Sequence, residues 1–118
     1  MTKQELDKLL HSVVDEDGEK IAVNEGVTSI DNEGAYPRIV YWDYILQDRT
    51  ASGKGYEAQV TYQISHFSKR PRDSSLEDLR RKLREQGLFP QIYGEYVKED
   101  RVFHSYFSLE VTEQIEED

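Results

Sequence analysis

Cysteine is absent from the 118 residues, which excludes disulfides and thiolate metal sites together. Long apolar runs are missing too: no window approaches the roughly 18 consecutive apolar residues that mark a membrane-spanning helix. The opening Met1-Thr2-Lys3-Gln4-Glu5 lacks the apolar core of a signal peptide, so synthesis and retention in the cytoplasm are expected. Positive charge is scarce beside negative, 15 Lys and Arg against 24 Asp and Glu, for a net of −9. A chain this acidic is repelled by phosphate backbones unless its cations gather on one patch.

Catalytic and ligand-binding patterns are as sparse. His11, His66 and His104 fall on three separate elements without metal-ligand spacing, and each is expected to be a surface or boundary residue. Gly53-Lys54-Gly55 has neither the preceding glycine spacing nor the following Ser or Thr of a phosphate loop. Acidic pairs abound, but among 24 carboxylates they arise by chance and identify no acid–base couple. The expectation is a protein without cofactor or metal that works by binding and assembly, not by catalysis.

What is present argues for one folded domain of ordinary size. Eight Tyr, four Phe and one Trp supply core material that disordered chains lack. Thr2 and Glu5 have the spacing of a capping box, and Leu6, Leu9, Leu10, Val13 and Val14 recur on one helical stripe. Asp15, Asp17 and Gly18 are expected to end that helix. Residues 18–35 carry turn signals (Asn24-Glu25-Gly26, Asn32-Glu33-Gly34) between short apolar stretches, and suit either an edge hairpin or an irregular excursion.

Beyond Pro37 a strand is predicted over Arg38–Leu46, with Ile39, Tyr41 and Ile45 on one face and Val40, Trp42, Tyr44 and Leu46 on the other. Gln47–Gly55 reads as a polar loop. Tyr56–His66 alternates strictly, with Ala58, Val60, Tyr62 and Ile64 on the core face. A second helix is predicted over Ser74–Gln86, capped by Ser74 with Glu77, striped by Leu76, Leu79 and Leu83, and followed by Gly87 at its C-terminal end. Gln91–Val97 and Val102–Thr112 form a hairpin, and Glu113–Asp118 an acidic tail expected to fray. The fold class is α+β: an antiparallel sheet with two helices packed on one face.

One segment departs from the acidic background. Lys69–Gln86 carries seven basic residues against four acidic, a net of +3 in a chain of −9. It reads either as a solvated helix face with pairs such as Glu77–Arg81 and Asp78–Lys82, or as a positive patch that meets an acidic face of a neighbouring copy or partner. No aromatic residues interleave the basic ones, which argues against nucleic-acid binding.

In its order of elements the chain resembles the tail-terminator (tail-completion) proteins of long-tailed phages, the group that contains the lambda tail terminator and related tail-to-head joining proteins. The likeness is carried by the capped helix Leu6–Val14, the acidic glycine-containing excursion, and the strand start Tyr36-Pro37-Arg38-Ile39-Val40-Tyr41. The alternating strand from Tyr56 to Ile64, the Ser-initiated helix, and the closing Ser105-Tyr106-Phe107-Ser108-Leu109-Glu110-Val111 complete it. The resemblance implies a mixed, mainly antiparallel sheet and self-assembly into a ring, typically a hexamer. Such a ring terminates the tail tube and offers the surface on which the head docks.

The partners so implied are the chain itself, the major tail tube protein and the head–tail connector protein, with no membrane and no sequence-specific nucleic acid. The place of action is the host cytoplasm during assembly and then the virion neck. Arg80, Arg81, Arg84 and Trp42 become candidate subunit-interface residues, and Arg49, Ser52, Gly53 and Lys54 a candidate tail-tube contact. A neck connector of the same virion and a monomeric bacterial binding or inhibitor domain are the alternatives.

Overall fold

The computed structural model describes residues 1–50 and 56–115. Its elements are α1 (Lys3–His11), β1 (Ala22–Glu25), a 3-10 turn (Ile30–Asn32), β2 (Arg38–Thr50), β3 (Tyr56–Ser68), α2 (Ser74–Glu85), β4 (Tyr93–Val97) and β5 (Val102–Ile115). The five strands form one mixed sheet in the order β1-β2-β3-β5-β4. β1 runs parallel to β2, and every other pairing is antiparallel. The architecture is thus the expected α+β one, and the excursion after α1 supplies the parallel edge strand.

The helices form for the reasons read from their residues. The Thr2 hydroxyl accepts from the Glu5 N–H at 3.1 Å, and Leu6, Leu9, Leu10 and Val13 are all buried. α1 stops at His11, before the acidic turn expected to end it, and Ser12 closes it by donating from its hydroxyl to the Leu9 carbonyl at 2.6 Å. α2 begins at Ser74, as expected, but its cap lies one residue earlier. Asp73, not Ser74, is the cap: its carboxylate accepts from the Ser75 N–H at 3.1 Å. Gly87 follows α2 with φ of 73°, a left-handed turn that costs glycine nothing. Leu76, Leu79 and Leu83 join α1's leucines in a single core cluster with Ile39, Tyr41, Val60, Tyr62, Ile64, Phe107, Leu109 and Val111. Both helices therefore lie on one face of the sheet.

The strands outrun expectation. β2 continues through Gln47, Asp48, Arg49 and Thr50, so the polar segment expected as a loop is strand up to residue 50, and 51–55 lie outside the described residues. β3 reaches Ser68, two residues past His66. β5 extends to Ile115, so the acidic tail expected to fray is paired through residue 115, with 116–118 outside the described residues.

The largest correction lies inside β2. The pairing with β3 shifts between Asp43 and Ile45, leaving Tyr44 as the extra residue of a bulge. Beyond it the alternation changes phase. Ile45 pairs with Thr61 on the face away from the helices, while Leu46 pairs with Val60 on the helix side. The expected faces of Ile45 and Leu46 rested on unbroken alternation, and one inserted residue reverses them. Tyr44 keeps the Trp42 face, with its hydroxyl 2.9 Å from Ser108 Oγ.

Candidate functional site

The expected interface residues fall on different parts of the molecule. Along α2 the cations are mostly engaged within the helix. Arg80 donates to both Glu77 oxygens at 3.0 Å, Arg81 pairs with Asp78 and Glu85, and Lys82 reaches Asp78 at 2.8 Å. The Asp78–Lys82 pair is the one expected from spacing. Glu77 instead takes Arg72 and Arg80, which leaves Arg81 to the neighbouring carboxylates. Among the described residues Arg84 is exposed and enters no ion pair. The solvated-face reading thus fits Arg81, while Arg84 remains available.

Trp42 is half-buried and pairs with Gln63, on the sheet face opposite the helices. It does not sit with the α2 arginines. Arg49, near the far end of β2, hydrogen-bonds Gln59 of β3 and is exposed; Ser52, Gly53 and Lys54 lie outside the described residues.

Two features were not legible as patterns. The first is the outer half of β2, where every residue from Asp43 to Thr50 is exposed, including Tyr44, Ile45 and Leu46 at 51%, 47% and 69%. The second is a row of rings on the sheet face away from the helices. Arg38 lies between the Tyr36 and Phe67 rings (4.5 and 5.0 Å), Phe67 stacks on His104 at 4.5 Å, and His104 leads to Tyr106 and then Tyr93. His104 is held by Glu95 on one nitrogen and Ser65 on the other, at 2.9 and 2.8 Å. Ser65, bonded by His104, and Val40 are both nearly inaccessible on this helix-free face.

His66, expected at a surface or boundary, is fully buried. Its Nε2 lies 2.7 Å from the Ser75 hydroxyl, whose proton goes to the Asp73 carboxylate at 2.7 Å. The Ser75 oxygen therefore accepts from His66 Nε2–H, and Nδ1 carries a lone pair with no partner. Burial pushes the imidazole down to about 4, and the Asp73 charge only partly offsets it, so the ring is neutral near pH 7. The hydroxyl is directed at a carboxylate and the chain of groups is enclosed. It is an arrangement that ties α2 to β3, not a nucleophile–base couple.

A second polar knot fastens α1 to the sheet. Tyr41 donates to Asp7 at 2.7 Å, and Lys3 bridges Asp7 and Glu25 at 2.8 and 2.9 Å. Burial alone would raise the Asp7 carboxyl, but the hydrogen bonds from Lys3 and Tyr41 carry it below its ordinary value.

Among the described residues no helix is long and apolar enough to cross a membrane, and no group of three or more His, Asp or Glu is placed to hold a metal ion. No protein-family model and no curated protein matches the chain, which leaves its own residues and geometry as the grounds for a functional reading.

Proposed function

We propose that the protein is a structural assembly protein of a long-tailed phage or prophage, forming a ring that ends the tail tube and presents the surface for the head. The observation that carries this reading is the exposed outer half of β2. A molecule measuring 50 × 29 × 24 Å exposes Tyr44, Ile45 and Leu46 along the outer half of β2, which among the described residues pairs with β3 alone. Exposed apolar residues clustered on a strand with one free edge mark an interaction surface. The order of elements that resembles the tail terminators supplies the kind of interaction.

Charge is consistent with a closed ring. In a heterologous ring two different patches of one subunit meet, so opposite charges on one chain serve every interface. The base of the ring is the helix-covered sheet, and the outer ends of β2, β3 and β5 supply the contact with the tube.

The test uses tail tubes from the phage or prophage that encodes the protein, mixed with the purified chain and imaged by electron microscopy. Ring-shaped density at one tube end, with elongation halted, is expected. Tubes that keep growing with bare ends would rule the role out.

A further inference from the structure

Between α2 and the edge strand β4 runs a groove on the helix side of the sheet. Its central cleft holds about 290 Å³ and is lined by Arg72, Leu76, Glu77, Arg80, Ile92 and Gly94. It continues at one end into a smaller cleft of about 120 Å³ that Arg84 and Phe89 border. At the other end it opens into one of about 330 Å³ beside Tyr96 and Phe103. The groove is open because Gly94, in the middle of β4, has no side chain to fill it: a Cβ built there meets nothing within 4 Å. Leu76, Pro90 and Ile92 give it apolar surface, and the α2 side holds two arginines to one glutamate, in a chain whose net charge is −9.

The opposite edge of the same sheet has the complementary character. β1 pairs with β2 only from Arg38 to Tyr41, so from Trp42 onward β2 has no strand on its outer side among the described residues. Because of the bulge, Asp43, Leu46 and Asp48 pair with Tyr62, Val60 and Ala58 and share the helix side. That row reads acid, apolar, acid. The groove beside β4 carries Arg72 and Arg80, which share Glu77 between them, and at its end Arg84, unpaired among the described residues. It so keeps a net positive charge around Leu76 and Ile92.

We propose that the free outer edge of β2 in one copy pairs with β4 in the next, continuing the sheet between subunits. Leu46 is then set into the groove beside Leu76 and Ile92, with Asp43 and Asp48 against its arginines. The five residues of β4 match five of β2, a contact of about 17 Å at about 3.3 Å per residue. Main-chain hydrogen bonds supply affinity in such strand addition, and alternate side chains in the flanking groove supply specificity. The contact is heterologous: each copy gives one edge and receives the other, so the assembly extends or closes without using a surface twice. Asp43, Asp48 and the bulge also keep this edge from pairing with unrelated strands. This inference rests on the ring reading and names the surfaces that build it.

The experiment is sedimentation of the full chain as wild type, as Gly94→Trp and as Asp43→Lys/Asp48→Lys. Tryptophan at 94 fills the groove, and the lysines reverse the charge of the entering edge. Wild type is expected to sediment as a concentration-dependent oligomer, and each variant alone as a monomer with an unchanged circular dichroism spectrum. An equimolar mixture of the two variants restores one intact edge on each partner, so dimers and nothing larger are expected. Wild-type assembly in either variant overturns the inference while leaving the ring reading in place. A mixture that stays monomeric overturns the head-to-tail pairing. A wild-type chain that is monomeric at every concentration overturns self-pairing, with the capping role decided separately on tail tubes.

Discussion

The two halves of β2 carry similar apolar residues and meet opposite fates. Ile39, Val40 and Tyr41 are buried, at 0%, 5% and 1% exposure, whereas Tyr44, Ile45 and Leu46 stand open. Composition does not separate them; surroundings do. The inner half has a strand on each side, β1 and β3, and α1 above it, with the Tyr41 hydroxyl fixed on Asp7. The outer half, among the described residues, has β3 alone. Backbone pairing is enough to continue a strand, but only a covering layer turns apolar side chains into core. The inner half therefore carries stability, and the outer half is left for contact.

The sharpest way to break this contrast is one substitution made in each half. Ile39→Asp places a carboxylate at a fully buried site and is expected to cost several kcal/mol, comparable with a whole domain's stability of roughly 5–15. Ile45→Asp is expected to cost less than about 1 kcal/mol, since the site is already wet. Urea unfolding of both variants checks the pair, and similar midpoints would erase the distinction.

A slightly smaller effect comes from His66, which pairs with Ile39 across the sheet. Its folded pKa of about 4 lies below the unfolded value of about 6.5. Between those values the unfolded chain binds the extra proton, so stability is fully present above pH 6.5 and falls as pH drops toward 4. The loss reaches about 3 kcal/mol. Unfolding midpoints measured across that window should show the slope in wild type and lack it in His66→Gln. The same slope in both would assign it elsewhere.

Asp73→Ala removes the α2 cap and the acceptor of the Ser75 proton, and a cost of about 1–2 kcal/mol is expected in thermal unfolding. Smallest of all, Arg81→Glu with Arg84→Glu should change folding stability by less than about 1 kcal/mol, because both side chains are exposed. A large loss of stability in the arginine pair would move α2's outer face from the contact surface into the fold.

Much of the inner region was legible. Thr2 capping, the two leucine stripes and the alternation of β3 follow from local chemistry and one-sided burial, and each stands in the structure. The outer region was not, for physical reasons. Gln47-Asp48-Arg49-Thr50 has no apolar alternation, and among the described residues neither face of the strand is covered there, so a paired strand looks like a loop. A bulge adds a residue without a compositional mark, since Tyr44 suits a strand as well as its neighbours do. The parallel edge strand and the groove beside Gly94 depend on contacts between segments distant in sequence. His66 was misplaced because the groups that shelter and satisfy it, on α2, are fixed only once that helix packs.

The most direct test of the central claim is amide hydrogen exchange, compared between dilute monomer and assembled protein. Stability in the inner half and association at the outer edge predict new protection at 42–50 and 93–97. The amides of α1 and of Val60–Ile64 in β3 should already be slow in the monomer and change little. Protection gained mainly on the sheet face of Phe67, His104 and Tyr106, with 42–50 and 93–97 unchanged, would contradict the account.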